Sequence, residues 1–217
     1  MNRSMRATRL CQKKYEELCE HVGSDQLDAW YVKAEPIFMG HEIQSKNDFI
    51  KLVAFAYSWM PTIPEWREEL DWHAFKAALQ KLKNGNDGSL REVLLLVVPA
   101  INNSIVGASK VLYFICPERV AIIDKNVVVG WRKLFYPNRL PKKRERDVAA
   151  LPKNFGSYSA DSKKRKRHIN LYIQYVKNLS EWANALGGIS TRDIESKLFL
   201  LGKRISEKPK NPKFKKR

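Results

Sequence analysis

An all-α fold, two-lobed, is the class this sequence predicts. Apolar residues recur at helical spacing along most of the 217 residues. The segments so defined open on Ser, Asp or Pro and close on Gly or Pro, and no strand-like alternation outlasts five residues.

The elements follow in order. "RATRLCQKKYEELCEHV" sets Leu10, Lys14, Leu18 and His21 near one stripe. "DQLDAWYVKA" reads as a short helix with Asp25 near its start. "SKNDFIKLVAFAYSWMP" has Ser45 as cap, a buried face of Phe49, Leu52, Val53 and Ala56, and Pro61 beyond its end. "IPEWREELDWHAFKAALQKLKNG" starts at Pro64 with acids in its first turn and ends on lysines and Gly85, which suits the helix dipole. "NDGSLREVLLLVVPAINN" opens with Ser89 as cap, and its caps and length make it helix rather than strand. "ASKVLYFICP" and "DKNVVVGWRKLFYP" each stop at a proline. A low-order connection leads to a long helix from about Asp161 to Leu186, ended by Gly187 and Gly188. "STRDIESKLFLLGKRI", capped by Ser190 or Thr191, is the last helix.

This length suits one helical domain, 1–202, with one lobe from 1–88 and 160–202 and another from 89–159. A basic tail, 203–217, follows. Six Trp, nine Phe and eight Tyr supply a core. The cysteines, Cys11, Cys19 and Cys116, are odd in number and lack zinc or CxxC spacing, which suits reduced thiols in the cytoplasm. No apolar run approaches the roughly 18 residues that span a bilayer, so no membrane partner is expected.

Charge is the strongest global signal. The formal net charge is +17, yet residues 1–131 hold 16 basic and 16 acidic side chains. Residues 132–167 carry a net +10 and residues 203–217 a net +7, while 168–202 balance. Two concentrated basic segments on a neutral body suit a polyanion, because each phosphate neutralised releases counterions. Neither segment has the apolar face of a membrane-surface helix.

The chemistry-bearing stretch is 102–131, "NNSIVGASKVLYFICPERVAIIDKNVVVGW". It sets Lys110 among small and apolar residues and Asp124 where a helix begins. A lysine that snorkels and an aspartate that merely caps would be purely structural. "NNSIVGASKVLYFI" followed by "AIIDKNV" resembles the core signature of helix-hairpin-helix DNA glycosylases, in particular their 8-oxoguanine type. Over about 35 residues, the resemblance places Lys110 on the family's amine nucleophile and Asp124 on its essential acid. It also places 105–109 on the hairpin turn whose amides, at Val106, Gly107, Ala108 and Ser109, hold a phosphate. The family hairpin carries two glycines; here Gly107 stands alone, with Lys110 three residues later.

The implied activity is excision of a damaged or modified base from DNA. The setting is repair or defence against phages with modified genomes. A carboxylate would stabilise positive charge developing at C1′ of a flipped nucleotide. A neutral lysine amine would attack C1′, adding AP-lyase activity through a Schiff base. Such an amine needs desolvation or a neighbouring cation to lose its proton at neutral pH.

For DNA, the candidate contacts are Lys163, Lys164, Arg165, Lys166 and Arg167 at the start of the long helix, with "PKKRER" and the tail as further contacts. For the flipped base, Tyr57, Trp59 and Met60 are the candidate pocket or wedge residues, Trp66 lying nearby; His73 reads as structural. No spacing suits zinc or an iron–sulfur cluster, so no metal or cofactor is expected, and the protein reads as a monomer acting on double-stranded DNA. The alternatives are a non-catalytic DNA- or RNA-binding module of the same fold and a protein-interaction domain.

Overall fold

The computed structural model describes residues 10–67, 69–86, 88–138, 148–153, 155 and 162–207. Those residues form nine helices: α1 (Gln12–Val22), α2 (Ala29–Phe38), α3 (Lys46–Ser58), α4 (Trp72–Lys83), α5 (Ser89–Ala100), α6 (Ile105–Ile115), α7 (Lys125–Phe135), α8 (Ser162–Leu186) and α9 (Thr191–Glu207). The only extended pairing among them is an isolated bridge between Trp66 and Ile101. The fold is all-α. "PKKRER" and the tail beyond residue 207 lie outside the described residues.

Several helix starts lie where the side chains predict. Ser45 and Asp48 form a capping box on α3: the Asp48 amide donates to the Ser45 hydroxyl and the Ser45 amide to the Asp48 carboxylate. Ser190 and Asp193 repeat the device on α9, which decides between Ser190 and Thr191. Asp124 caps α7 by accepting from the Val127 amide at 2.8 Å.

Other starts move. Asp28, not Asp25, caps α2. Gly88 takes the capping position of α5, and Ser89 is already helical. The fourth helix begins at Trp72, with Asp71 accepting from Ala74, eight residues after Pro64. Stretch 63–67 cannot be helix because its backbone is committed elsewhere: Arg67 donates to Ala100 O, Asn102 N donates to Glu65 O, and Asn102 also bonds Ile63 and Glu65 through its side chain.

One hydrophobic cluster draws buried side chains from all nine helices. Within it α7 and α9 approach backbone to backbone. A Cβ added at Gly202 would stand 1.8 Å from Asn126 O, and one at Gly130 would stand 2.1 Å from Leu198 O. Glycine is the only residue that fits either crossing. Of the connection after α7, residues 148–151 pack into the core. Trp131 Nε1 and the Tyr136 hydroxyl both donate to Ala149 O, and Ala149 N donates to Asn178 Oδ1. Val148, Ala149 and Leu151 are accordingly fully buried.

Candidate active site

The site is built where α6 and α7 meet. Between them runs a buried segment, 120–123, which lies in no helix or sheet to satisfy its backbone. Side chains do that work. Tyr172 donates to Ala121 O at 2.7 Å and Tyr175 to Ile122 O at 3.3 Å. Ile122 N donates to Glu195 Oε2 at 2.7 Å, and Ile123 N to Ser109 Oγ at 3.2 Å. A backbone held from both sides by α6, α8 and α9 delivers Asp124 to a defined place.

That place is a cavity of about 660 Å³ lined by both Lys110 and Asp124. Tyr31, Tyr57, Trp59 and Phe199 supply aromatic wall, and Arg192 and Glu195 come from α9. Lys110 is 7% exposed, and its Nζ donates to Trp59 O at 3.4 Å. Among the described residues no carboxylate forms an ion pair with it. Burial lowers the Lys110 pKa below 10.5; Asp124 and Glu195 oppose that shift, and Arg192 adds to it. An amine so placed gives up its proton more readily than a surface lysine.

Behind the cavity wall, Arg192 forks onto Glu35, Nε to Oε1 at 2.9 Å and Nη2 to Oε2 at 2.6 Å, and also pairs with Glu195. Tyr113 donates to Glu35 at 2.6 Å. Glu195 is 1% exposed, and burial, against the opposing pull of Arg192 and the Ile122 amide, pushes its pKa up to about 7. A folded pKa above the unfolded value of 4.5 means the native state keeps a proton that the unfolded chain releases. Glu195 therefore contributes stability that is full below about pH 4.5 and lost as pH rises through about 7. Glu195→Gln, which keeps an acceptor for Ile122 N, is expected to remove that component. Urea denaturation at several pH values checks it, read as the difference between wild type and variant. An unchanged slope between pH 5 and 7 (roughly the window above) would contradict it.

The predicted residues divide. Lys110, Asp124, Tyr57, Trp59, Met60 and Val106 line the cavity together. Gly107, Ala108 and Ser109 do not, and the hairpin turn is not at 105–109. The turn is 101–104, where Asn102 and Asn103 take positive φ values of 51° and 49°. Asparagine tolerates that region best after glycine, so two asparagines can make this left-handed turn without one. Lys110 accordingly sits in the middle of α6 rather than opening it. The amides of Gly107 and Ala108 are taken by the Ser104 side chain and carbonyl, and Ser109 is buried in the helix. Of the four expected phosphate-binding amides, Val106 N alone makes no hydrogen bond among the described residues, and its neighbour Ile105 N makes none there either. Gly107 has another role: a Cβ there would lie 2.1 Å from the Tyr57 hydroxyl.

Of the basic residues opening α8, Lys163, Lys164, Lys166 and Arg167 are exposed. Arg165 is half-buried and donates through Nη1 to Asn103 Oδ1 at 3.1 Å. The basic end of α8 is thereby fastened to the turn that borders the cavity. Tyr57 and Trp59, at 4% and 8% exposure, are wall and cannot project as wedges. An exposed apolar side chain follows the cavity-lining Pro61 and Thr62: Ile63, 83% exposed, whose carbonyl accepts from the cavity-lining Asn102. Ile63, Tyr31, Arg192, Glu195 and Phe199 escaped the sequence reading. A signal existed for Glu195, a carboxylate on the apolar stripe of Ile194, Leu198 and Leu201.

Among the described residues no group of three or more His, Cys, Asp or Glu side chains gathers as a metal site, and no helix is long and apolar enough to cross a membrane. No protein-family model, curated protein or solved structure matches the chain.

Proposed function

We propose that this protein is a DNA glycosylase that excises a damaged or modified base, with Lys110 as nucleophile and Asp124 as the acid. The observation that carries the reading is the joint presence of a buried, desolvated amine and a carboxylate in one aromatic-walled cavity. The basic start of α8, fastened to the turn beside that cavity, supports a phosphate backbone as partner. The base leaves the stack and enters among Tyr31, Tyr57, Trp59 and Phe199, while Ile63 fills the space it vacates.

In the reaction, Asp124 stabilises the positive charge that grows on C1′ as the C1′–N bond breaks and its electron pair leaves with the base. Lys110 Nζ attacks C1′ and loses a proton, to Asp124 or through it to the departing base. Opening of the sugar then gives a protonated Schiff base, from which the strand is cut on the 3′ side. The setting is base-excision repair or defence against phages with modified DNA.

The test incubates the protein with oligonucleotide duplexes bearing assorted damaged and modified bases, assays abasic sites, and adds borohydride. Abasic product together with a reduced covalent adduct supports the full scheme. Abasic product with no adduct removes the nucleophile role from Lys110. Salt-sensitive binding with no abasic product from any substrate contradicts the enzyme and supports the binding module.

A further inference from the structure

A second hollow adjoins the main cavity. Tyr31, Asn126 and Phe199 border both spaces, and the second holds about 460 Å³. Its character differs. Gln26, Asp28, Trp30, Lys203, Ser206 and Glu207 line it, so an indole stands among amide, hydroxyl, carboxylate and ammonium groups. Trp30 is 57% exposed, an unusual position for the largest apolar side chain. Among the described residues the side chains of Gln26, Asn126 and Ser206 take no hydrogen-bond partner. Asn126, on the edge the two hollows share, is held in place, because its carbonyl rests against Gly202 and no side chain fits between them.

Charge decides what suits this hollow. Two carboxylates, Asp28 and Glu207, stand against one ammonium, Lys203, which lies at 4.0 Å from Glu207. That balance disfavours a phosphate and favours a neutral group rich in hydroxyls. Carboxylates accept from hydroxyls, amides both donate and accept, and the open indole face covers the C–H side of a saturated ring. Resting on the reading of the main cavity as a base site, we infer that the second hollow is a subsite for a bulky, sugar-like substituent carried by the excised base. Tyr31 and Phe199 flank the link between base and substituent, and Trp30 carries the ring.

The experiment uses two duplexes that differ at one position, a hydroxymethylated pyrimidine with or without a glucosyl group. Binding is measured by fluorescence anisotropy on the Lys110→Ala protein, so that no turnover intervenes, and release is measured on the wild type. The glucosylated duplex is expected to bind about tenfold tighter, about 1.4 kcal/mol. Adding Trp30→Ala is expected to bring it down to the affinity of the unglucosylated duplex. Equal affinity for the two duplexes overturns the subsite. So does a Trp30→Ala effect of the same size on both, which would mark Trp30 as a platform for a flanking nucleotide. Preferential binding without release by the wild type leaves the subsite standing and rejects the catalytic scheme, so the two failures are told apart.

Discussion

Lys110→Ala is expected to abolish the borohydride-trapped adduct completely, because the other lysine that lines the cavity among the described residues, Lys125, is exposed and stays charged in water. Loss of activity alone would not separate a chemical role from a structural one, and Lys110→Met does. Lys110 sits at 7% exposure with a single acceptor at 3.4 Å. The unfolded chain holds its amine charged in water, whereas the folded protein lowers its pKa by burial. Each pKa unit of that mismatch is about 1.4 kcal/mol against the folded state. A methionine fills nearly the same volume with no charge to desolvate. The Lys110→Met protein is therefore expected to be inactive yet more stable than wild type at pH 7. A rise in the urea midpoint checks it. The sign also carries a pH signature: between the lowered pKa and 10.5 the unfolded chain binds the extra proton, so wild-type stability gains with pH there and the variant lacks that gain. A variant less stable than wild type would make Lys110 a structural residue.

Gly202→Ala is expected to be the most damaging single methyl group in the described residues. In a helix interior alanine is favoured over glycine by about 1 kcal/mol, so propensity alone predicts stabilisation. Packing predicts the reverse. The new Cβ would lie 1.8 Å from a backbone carbonyl, Asn126 O, where no side chain can swing aside. Helices α7 and α9 would have to separate by more than an ångström, and these helices bury Trp131, Leu134, Leu198 and Leu201 in the core. The overpacking cost is about 3 kcal/mol or more, which outweighs the propensity gain. Thermal or urea unfolding decides between the two signs. The same shift would move Asn126 and, two residues before it, Asp124, so activity is expected to fall even where the variant still folds.

Local chemistry made much of this molecule legible. Ser45 followed three residues later by Asp48, and Asp124 ahead of "KNVVVGW", announce helix starts that the backbone then uses. The pairing of Lys110 with Asp124 in one cavity followed from a motif spanning a short piece of chain. The misreadings came where distant contacts overrode local preference. Pro64 with glutamates after it is a sound helix start taken alone, but the turn at Asn102 claims that backbone. Gly107 points to a hairpin at 105–109, whereas the left-handed turn belongs to two asparagines just upstream. Glu195 and Arg192 reach the site from the last helix, and only tertiary folding brings them to Ile122 and Glu35. The apolar stripe around Glu195 marks it as buried, but nothing in the sequence names Ile122 or Glu35 as the partners.

The most direct measurement is the titration of the Lys110 amine itself, followed by NMR of the lysine side chains and assigned by the signal missing in Lys110→Met. A cavity that prepares a neutral nucleophile predicts a midpoint clearly below the ordinary 10.5, apart from the surface lysines. A signal that titrates with those lysines, or above them, would mean a charged amine paired to Asp124 and would contradict the account.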